Sequence, residues 1–526
     1  MIVSDCVAYG AVKYPDRPAI HFQGKEATYR ELNHRVRQVA NAFGALAEPG
    51  DRIAILSQNR PEYVECLYGV PLAGMALCLL NYRLNPRELA RIIVDAEPTV
   101  LVVERQFVSA IAEYRTQFLS VEHVVVLDGA PDGVTISYEQ RVRSASAVEP
   151  VVEVDEHSLA WLIYTSGTTG MPKGAMLSHR NILAAAANVG PQWSAHGGSV
   201  LLAPWPMCHV AAMIWPSAHV LGWSVVLMRS FDPVGYLQHI EQYHCTTALG
   251  APTMIDMLLT HPQFTQFDLS SLRVVSYGSA AIPTEVLGRA MAALPSVGWE
   301  NNYGMSELSG SVAYLDAQSH KAALADGSEV LTSVGYQLPF AVCRIVDEGM
   351  RDVAVGQVGE VVVRGPQVTG GYWRRPEANE EAFRGGWFHT GDLGKWDSAG
   401  RLYIVDRKKD MIITGGENVY SREVEDVLIS HPAVAEVAVI GIPDRTWGEN
   451  VVAVVRLEDG MAATEEELIA HCRASLAGYK KPSQVLFATS LPRNTTGKLI
   501  KGELRRSLLD SSGLPEWIAH PAAPTV

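Results

Sequence analysis

The sequence predicts an α/β fold built on parallel sheets with helices packed against their faces. Short runs rich in Val, Ile and Leu alternate with longer helical patterns through the first two-thirds of the chain, the texture of βαβ units. From about residue 330 short strand patterns follow one another without long helices, and beyond Asp406 a further mixed unit begins. A chain of 526 residues exceeds what one compact core holds, and ordinary domain sizes divide it into about three or four units.

In chain order, strands are expected at residues 52–56, 100–103, 123–127, 199–203, 224–228 and 273–277. Helical patterns lie between them, at 85–96 with Pro86 in the first turn, and at 232–243 with Asp232 as N-cap and Pro233 at the first helical position. Residues 1–405 thus read as two βαβ-layered subdomains, about 1–180 and 181–330, plus a small β-barrel-like subdomain at 331–405 with strands at 342–346, 360–364 and 402–405. The remainder is α+β, with helices at 421–429, 464–476 and 501–509 and strands at 434–440, 451–457 and 484–488. The tail 515–526, rich in Pro and Ala, is expected to be loosely attached.

With 48% apolar and 19% charged residues, the composition is that of an ordinary soluble globular protein. A formal charge of −14 argues against a nucleic-acid partner and leaves no polybasic membrane anchor. Seven scattered cysteines without a CxxC pair suit reduced thiols in a cytoplasm better than a disulfide framework or a zinc site. Residues 1–5 lack the basic and apolar regions of a secretory leader. No integral membrane segment is expected: 66–80 is too short and carries Pro71, and 200–228 is interrupted by prolines and histidines.

Chemistry enters at Tyr164-Thr165-Ser166-Gly167-Thr168-Thr169-Gly170-Met171-Pro172-Lys173-Gly174, which follows an apolar run. Glycines let backbone N–H groups turn toward an anion, hydroxyls add donors and Lys173 adds charge, a combination that holds phosphate. It is not a Walker loop, because no Lys-Ser or Lys-Thr pair follows a glycine at the required spacing. Further motifs follow: Asn301-Asn302-Tyr303-Gly304-Met305-Ser306-Glu307, Trp387-Phe388-His389-Thr390-Gly391-Asp392, Asp406-Arg407-Lys408-Lys409-Asp410 with Gly415-Gly416-Glu417-Asn418, and Pro492-Arg493-Asn494-Thr495-Thr496-Gly497-Lys498.

In kind and order these strings resemble those of the adenylate-forming superfamily of acyl-CoA synthetases, aryl-CoA ligases, peptide-synthetase adenylation domains and beetle luciferases. The resemblance covers nearly the whole chain. It implies a large N-terminal AMP-binding domain, a hinge at 406–411 and a small mobile C-terminal lid at 412–526 that rotates between two half-reactions. A carboxylate first attacks the α-phosphate of ATP, giving an acyl-adenylate and pyrophosphate, and a thiol then displaces AMP. Because an anionic acid must approach an anionic triphosphate, the site needs Mg²⁺, a lysine and preorganised donors.

The resemblance assigns roles by position. Thr165, Ser166, Gly167, Thr168, Thr169, Gly170 and Lys173 would grip the pyrophosphate side. Glu307 would hold Mg²⁺ and Ser306, where Thr is commoner, an α-phosphate oxygen. Gly278, Ser279 and Ala280 would wall the adenine slot, with Tyr303 stacking opposite and Asn302, Gly304 and Met305 flanking it. Asp392 would accept the ribose hydroxyls, an acceptor-only group suited to a vicinal diol, with Arg407 adding a contact. Lys498 would reach the substrate carboxylate and α-phosphate during adenylation, and Lys409 would be the hinge residue.

The acceptor and the acid lie in other residues. Trp447 and Tyr479 match positions where some CoA ligases sandwich the adenine of CoA, with Lys481 near its phosphates, Gly416 lining the pantetheine tunnel and Gly415 a further cofactor-binding candidate. His209 matches a gate over the reacting carboxylate, with a hydrogen-bonded core histidine as the alternative. Val210 stands where amino-acid-activating domains place an Asp, which disfavours an amino-acid substrate. The remaining pocket candidates, Met213, Ile214, Trp215, Tyr277, Met305 and Ser309, carry no second charge and imply a fatty, alicyclic or aromatic acid. The expected protein is a cytoplasmic AMP-forming acid–CoA ligase using ATP, Mg²⁺ and CoA, with a homodimer as a candidate assembly. An acyl-AMP ligase loading a carrier-protein thiol is the rival within enzymes, and a non-catalytic nucleotide-binding protein the rival outside them.

Overall fold

The computed structural model describes residues 1–129, 135–165, 172–195, 200–493, 499–509 and 518–519. The chain divides into two compact units: Met1–Cys343 with Val363–Phe388, and Arg344–Val362 with His389–Val526. The hinge expected at 406–411 lies inside the second of them.

Among the described residues the first unit contains a seven-stranded sheet ordered Ile136–Ser137, His123–Val126, Val100–Val103, Arg52–Leu56, Ala76–Leu80, Leu159–Thr165, Lys173–Ser178. Its strands pair in parallel except for the last, which returns antiparallel with Thr165 opposite Lys173. All four residues of Val100–Val103 are buried, as a strand covered on both faces requires. A second, nine-stranded sheet repeats the plan. Its parallel strands Val200–Ala203, Thr247–Gly250, Val274–Gly278 and Gly298–Met305 lead to an antiparallel return, Gly310–Leu315. Each sheet therefore turns back on itself at one of the motifs singled out above.

Helix starts follow side-chain chemistry. Asn85 and Glu88 form a reciprocal capping box before Pro86–Ala96, and the Asp232 carboxylate accepts from the Gly235 N–H before Pro233–Tyr243. Both helices end on left-handed residues, Glu97 and His244. No helix among the described residues is long and apolar enough to cross a membrane, and all seven cysteines are free and buried.

In the second unit, Leu402–Arg407 pairs antiparallel with residues 392–396, placing Asp392 opposite Arg407. Val434–Asp444 and Gly448–Leu457 form a long hairpin extended by Gln484–Ala488, and helices Ser421–Ile429, Glu465–Ser475 and Lys501–Leu509 belong to the same unit. Val439, Ala453, Val455, Leu428 and Leu468 form part of its core.

Candidate active site

In the first unit the two antiparallel returns meet. Glu307 lies in the single-turn helix Ser306–Leu308 that links Gly298–Met305 to Gly310–Leu315, with its side chain buried. Its Oε1 accepts from the Thr165 hydroxyl at 3.2 Å and from the Tyr372 hydroxyl at 3.0 Å. Its carbonyl accepts from the Thr369 N–H at 2.8 Å. Lys173, paired with Thr165 across the other hairpin, carries its ammonium 5.2 Å from the Tyr372 ring centroid. The structure thus brings Thr165, Lys173 and Glu307 together from separate sheets and adds Tyr372, which the sequence reading missed. Its only local signal is the Gly371-Tyr372-Trp373 string, which reads equally well as core. Ser166, Gly167, Thr168, Thr169 and Gly170 lie outside the described residues.

Close backbone approach explains the glycines. A Cβ on Gly304 would lie 1.8 Å from the Gly310 carbonyl oxygen, beside a register shift between Tyr303 and Gly304, so only glycine lets this hairpin close. A Cβ on Gly278 would lie 2.7 Å from the Asn302 carbonyl oxygen, so the expected adenine wall presses against the neighbouring strand. Asn302 donates to the Ser276 hydroxyl at 2.8 Å, while Ser279 is left-handed and exposed, as Ala280 is exposed. Tyr303, Met305 and Ser306 are half-buried.

The pocket candidates divide by burial. His209 precedes the single-turn helix Val210–Met213, and its Nε2 is buried with no hydrogen-bond partner among the described residues. Burial, reinforced by the charge of Arg83, holds the imidazole down at about 4, so it is neutral across the physiological range. Ser309, in left-handed conformation, also has a buried hydroxyl without a partner among the described residues. A Cβ on Gly310 would come 4.0 Å from the Met213 Cβ, which places that turn against the hairpin. Val210 is half-buried and Ile214 buried. Trp215 is 1% exposed, packed edge-on against His219 with ring centroids 5.5 Å apart, and Tyr277 is fully buried with its hydroxyl on His320.

The second unit holds the other assigned positions. Asp392 is buried, with Oδ1 2.6 Å from Arg407 Nε, and Gly391 before it has φ +69°. Glu360 lies 3.1 Å from His389 Nδ1 and 3.0 Å from Lys408 Nζ. Burial alone would raise its pKa, but hydrogen bonds from His389 and Lys408 outweigh it and hold the carboxyl below its ordinary range. Asp406 accepts from both the N–H and the hydroxyl of Ser421, tying the start of the expected hinge to the first turn of Ser421–Ile429. Lys409 is exposed in a turn closed by the N–H groups of Asp410 and Met411 on the Arg407 carbonyl. Trp447 and Tyr479 are 56% and 44% exposed. Gly415 donates to the Trp447 carbonyl at 2.7 Å, and a Cβ there would lie 3.0 Å from the indole, whereas Gly416 has open space. Lys481 is half-buried, and Lys498 lies outside the described residues.

Known proteins resemble this chain in sequence and fold. A sequence model of AMP-binding enzymes matches residues 7–373, and one of the AMP-binding enzyme C-terminal domain matches 423–498. A feruloyl-CoA synthase from an Amycolatopsis species is 37% identical over 94% of this chain and 96% of its own length. A long-chain-fatty-acid–CoA ligase from Salmonella typhimurium is 33% identical over 94% of this chain and 93% of its own. The crystal structure of ATP-bound MatB from Rhodopseudomonas palustris superposes with a TM-score of 0.87 at 31% identity, covering 97% of this chain and 99% of that one. The chain therefore belongs to the AMP-binding enzyme family, within the adenylate-forming superfamily of acyl-CoA synthetases.

Proposed function

We propose that this enzyme activates an apolar carboxylic acid as its acyl-adenylate, releasing pyrophosphate from ATP, and passes the acyl group to the thiol of CoA with release of AMP. The observation that carries the reading is the convergence of Thr165, Lys173 and Glu307: two hydrogen-bond donors and a buried carboxylate gathered from separate hairpins. Lys173 supplies fixed positive charge for phosphate. Glu307 fits Mg²⁺, because that ion takes hard oxygen ligands and is commonly held by one or two carboxylates together with substrate phosphates. No cluster of three His, Cys, Asp or Glu competes for such a role among the described residues. When bound, Mg²⁺ would neutralise the charge of the triphosphate. Asp392, buried and oriented by Arg407, is an acceptor-only group for a ribose diol.

Pocket chemistry supports an apolar acid. Val210, Met213 and Ile214 offer no charge, and His209 is neutral above about pH 4. An ammonium would find no carboxylate partner among these residues. The relatives named above are a feruloyl-CoA synthase and a long-chain-fatty-acid–CoA ligase, both consistent with such a pocket. The exposed Trp447 and Tyr479 favour CoA over a carrier-protein thiol, because aromatic faces beside lysines suit a phosphorylated nucleotide. A panel of aryl and fatty acids, assayed for CoA-dependent AMP release, tests both assignments. Acyl transfer to a carrier protein but not to CoA would replace the second.

A further inference from the structure

Glu307 is held by hydroxyls from two distant segments. A carboxylate only accepts, so both Tyr372 and Thr165 donate to Oε1, and these are the hydrogen bonds that its side chain receives from the described residues. The Thr165 proton is contested by the Lys173 carbonyl at 3.4 Å, while Tyr372 approaches the carboxylate more closely, at 3.0 Å. Charge-assisted donors of this kind fix a carboxylate's rotamer without neutralising it. Both lie on Oε1, so that among the described residues Oε2 is the oxygen offered to a cation.

Tyr372 is itself fastened. Its N–H donates to Asn379 Oδ1 at 2.6 Å and its carbonyl accepts from Asn379 Nδ2 at 3.0 Å. Met176 N–H donates to the Gly371 carbonyl and Trp373 N–H to the Gly174 carbonyl, so residues 371–373 run as an added edge along Lys173–Ser178. Gly371 has φ +131°, and a Cβ there would lie 2.9 Å from Asn379 Oδ1, so glycine is what admits the asparagine clamp. The same ring carries the Lys173 ammonium near its face, within cation–π range. One side chain thereby sets both the carboxylate and the lysine.

We propose that Tyr372 is a positioning residue for the metal–nucleotide complex, its hydroxyl orienting Glu307 toward Mg²⁺ and its ring seating Lys173. The inference rests on the reading of Glu307 as the Mg²⁺ ligand. Tyr372→Phe removes the hydroxyl and keeps the ring, so calorimetric binding of a non-hydrolysable ATP analogue separates the two contributions. With Mg²⁺ present, affinity should fall about tenfold, the usual effect of one hydrogen bond to a charged group, while binding without metal should stay unchanged. Tyr372→Leu should weaken binding in both conditions.

A double-mutant cycle with Glu307→Gln discriminates this role from mere packing, because once the carboxylate is gone Tyr372→Phe should have no further effect on Mg²⁺-dependent affinity. Unchanged Mg²⁺-dependent affinity in Tyr372→Phe, an additive cycle, or loss of the native fold on removing the hydroxyl would each overturn the proposal. If Glu307→Gln alone leaves the Mg²⁺ dependence intact, the assignment of Glu307 fails instead.

Discussion

The Tyr277 hydroxyl donates to His320 Nε2 at 2.7 Å, and the tautomer that permits this is fixed by the backbone. His320 Nδ1 lies 2.9 Å from the Asp316 carbonyl oxygen, which only accepts, so Nδ1 carries the ring proton and Nε2 is the acceptor. Both side chains are fully buried, and burial lowers the pKa of the histidine. Tyr277→Phe would leave a buried acceptor unsatisfied, at a cost of about 1–3 kcal/mol. Chemical denaturation should show that loss, and unchanged stability would mean that water replaces the hydroxyl.

Acid should destabilise the fold through its buried histidines. His219 Nε2 lies 3.3 Å from the Ala19 carbonyl oxygen and must donate, so Nδ1 accepts from the Tyr68 hydroxyl at 2.8 Å. Burial pushes His219 down to about 4 from an ordinary value near 6.5. Since the folded-state pKa lies below the unfolded one, the unfolded chain takes up the proton first. The associated stability is complete above about pH 6.5, erodes as pH falls, and is gone below about 4, a loss of roughly 3 kcal/mol. Denaturation midpoints between pH 7 and 4 should fall less steeply in His219→Gln than in the parent, and an identical slope would exclude His219 as a contributor.

Gly304→Ala tests the closed hairpin. With no room for a Cβ against the Gly310 carbonyl, the turn bearing Ser306 and Glu307 must shift. Overpacking of this kind costs about 1–3 kcal/mol or more, and acid-dependent ATP–pyrophosphate exchange should fall along with the melting temperature. Full exchange activity in Gly304→Ala would show that the position of Glu307 is not critical.

Two lysines should separate the half-reactions. Lys498→Ala is expected to lower adenylation by about 10²–10³, the usual loss of one preorganised donor, and to spare thioester formation from supplied acyl-adenylate. Lys409→Pro should do the reverse: proline fixes φ at an exposed turn residue, leaving adenylation intact and blocking thioester formation. Single-turnover assays of each half-reaction check both, and equal losses in both halves would contradict either assignment.

Much of this was legible in the chain because the chemistry restricts residue types. A loop proposed to hold phosphate needs glycines, hydroxyls and a lysine in sequence, which singles out Thr165 and Lys173 as candidates; a buried parallel strand needs an unbroken apolar run, which exposes Val100–Val103. Tyr372 and Asn379 carry no such mark. Tyr372 owes its position to pairing with Lys173–Ser178, nearly two hundred residues earlier in the chain, and Asn379 to its bonds with Tyr372; no local pattern encodes that register. The Tyr277–His320 bond was hidden for the same reason, since either residue read alone is an ordinary half-polar core side chain.

The central claim, that the hydroxyl-bound Glu307 serves an adenylation reaction whose product is passed to CoA, is tested most directly by following AMP and thioester formation from an apolar acid and ATP, with and without CoA, in the parent and in Glu307→Gln. The account predicts acid-dependent pyrophosphate exchange without CoA, stoichiometric AMP and acyl-CoA once CoA is added, and a drop of about 10²–10³ in both for the variant. Exchange that ignores the acid, or a Glu307→Gln enzyme with parental rates, would contradict it.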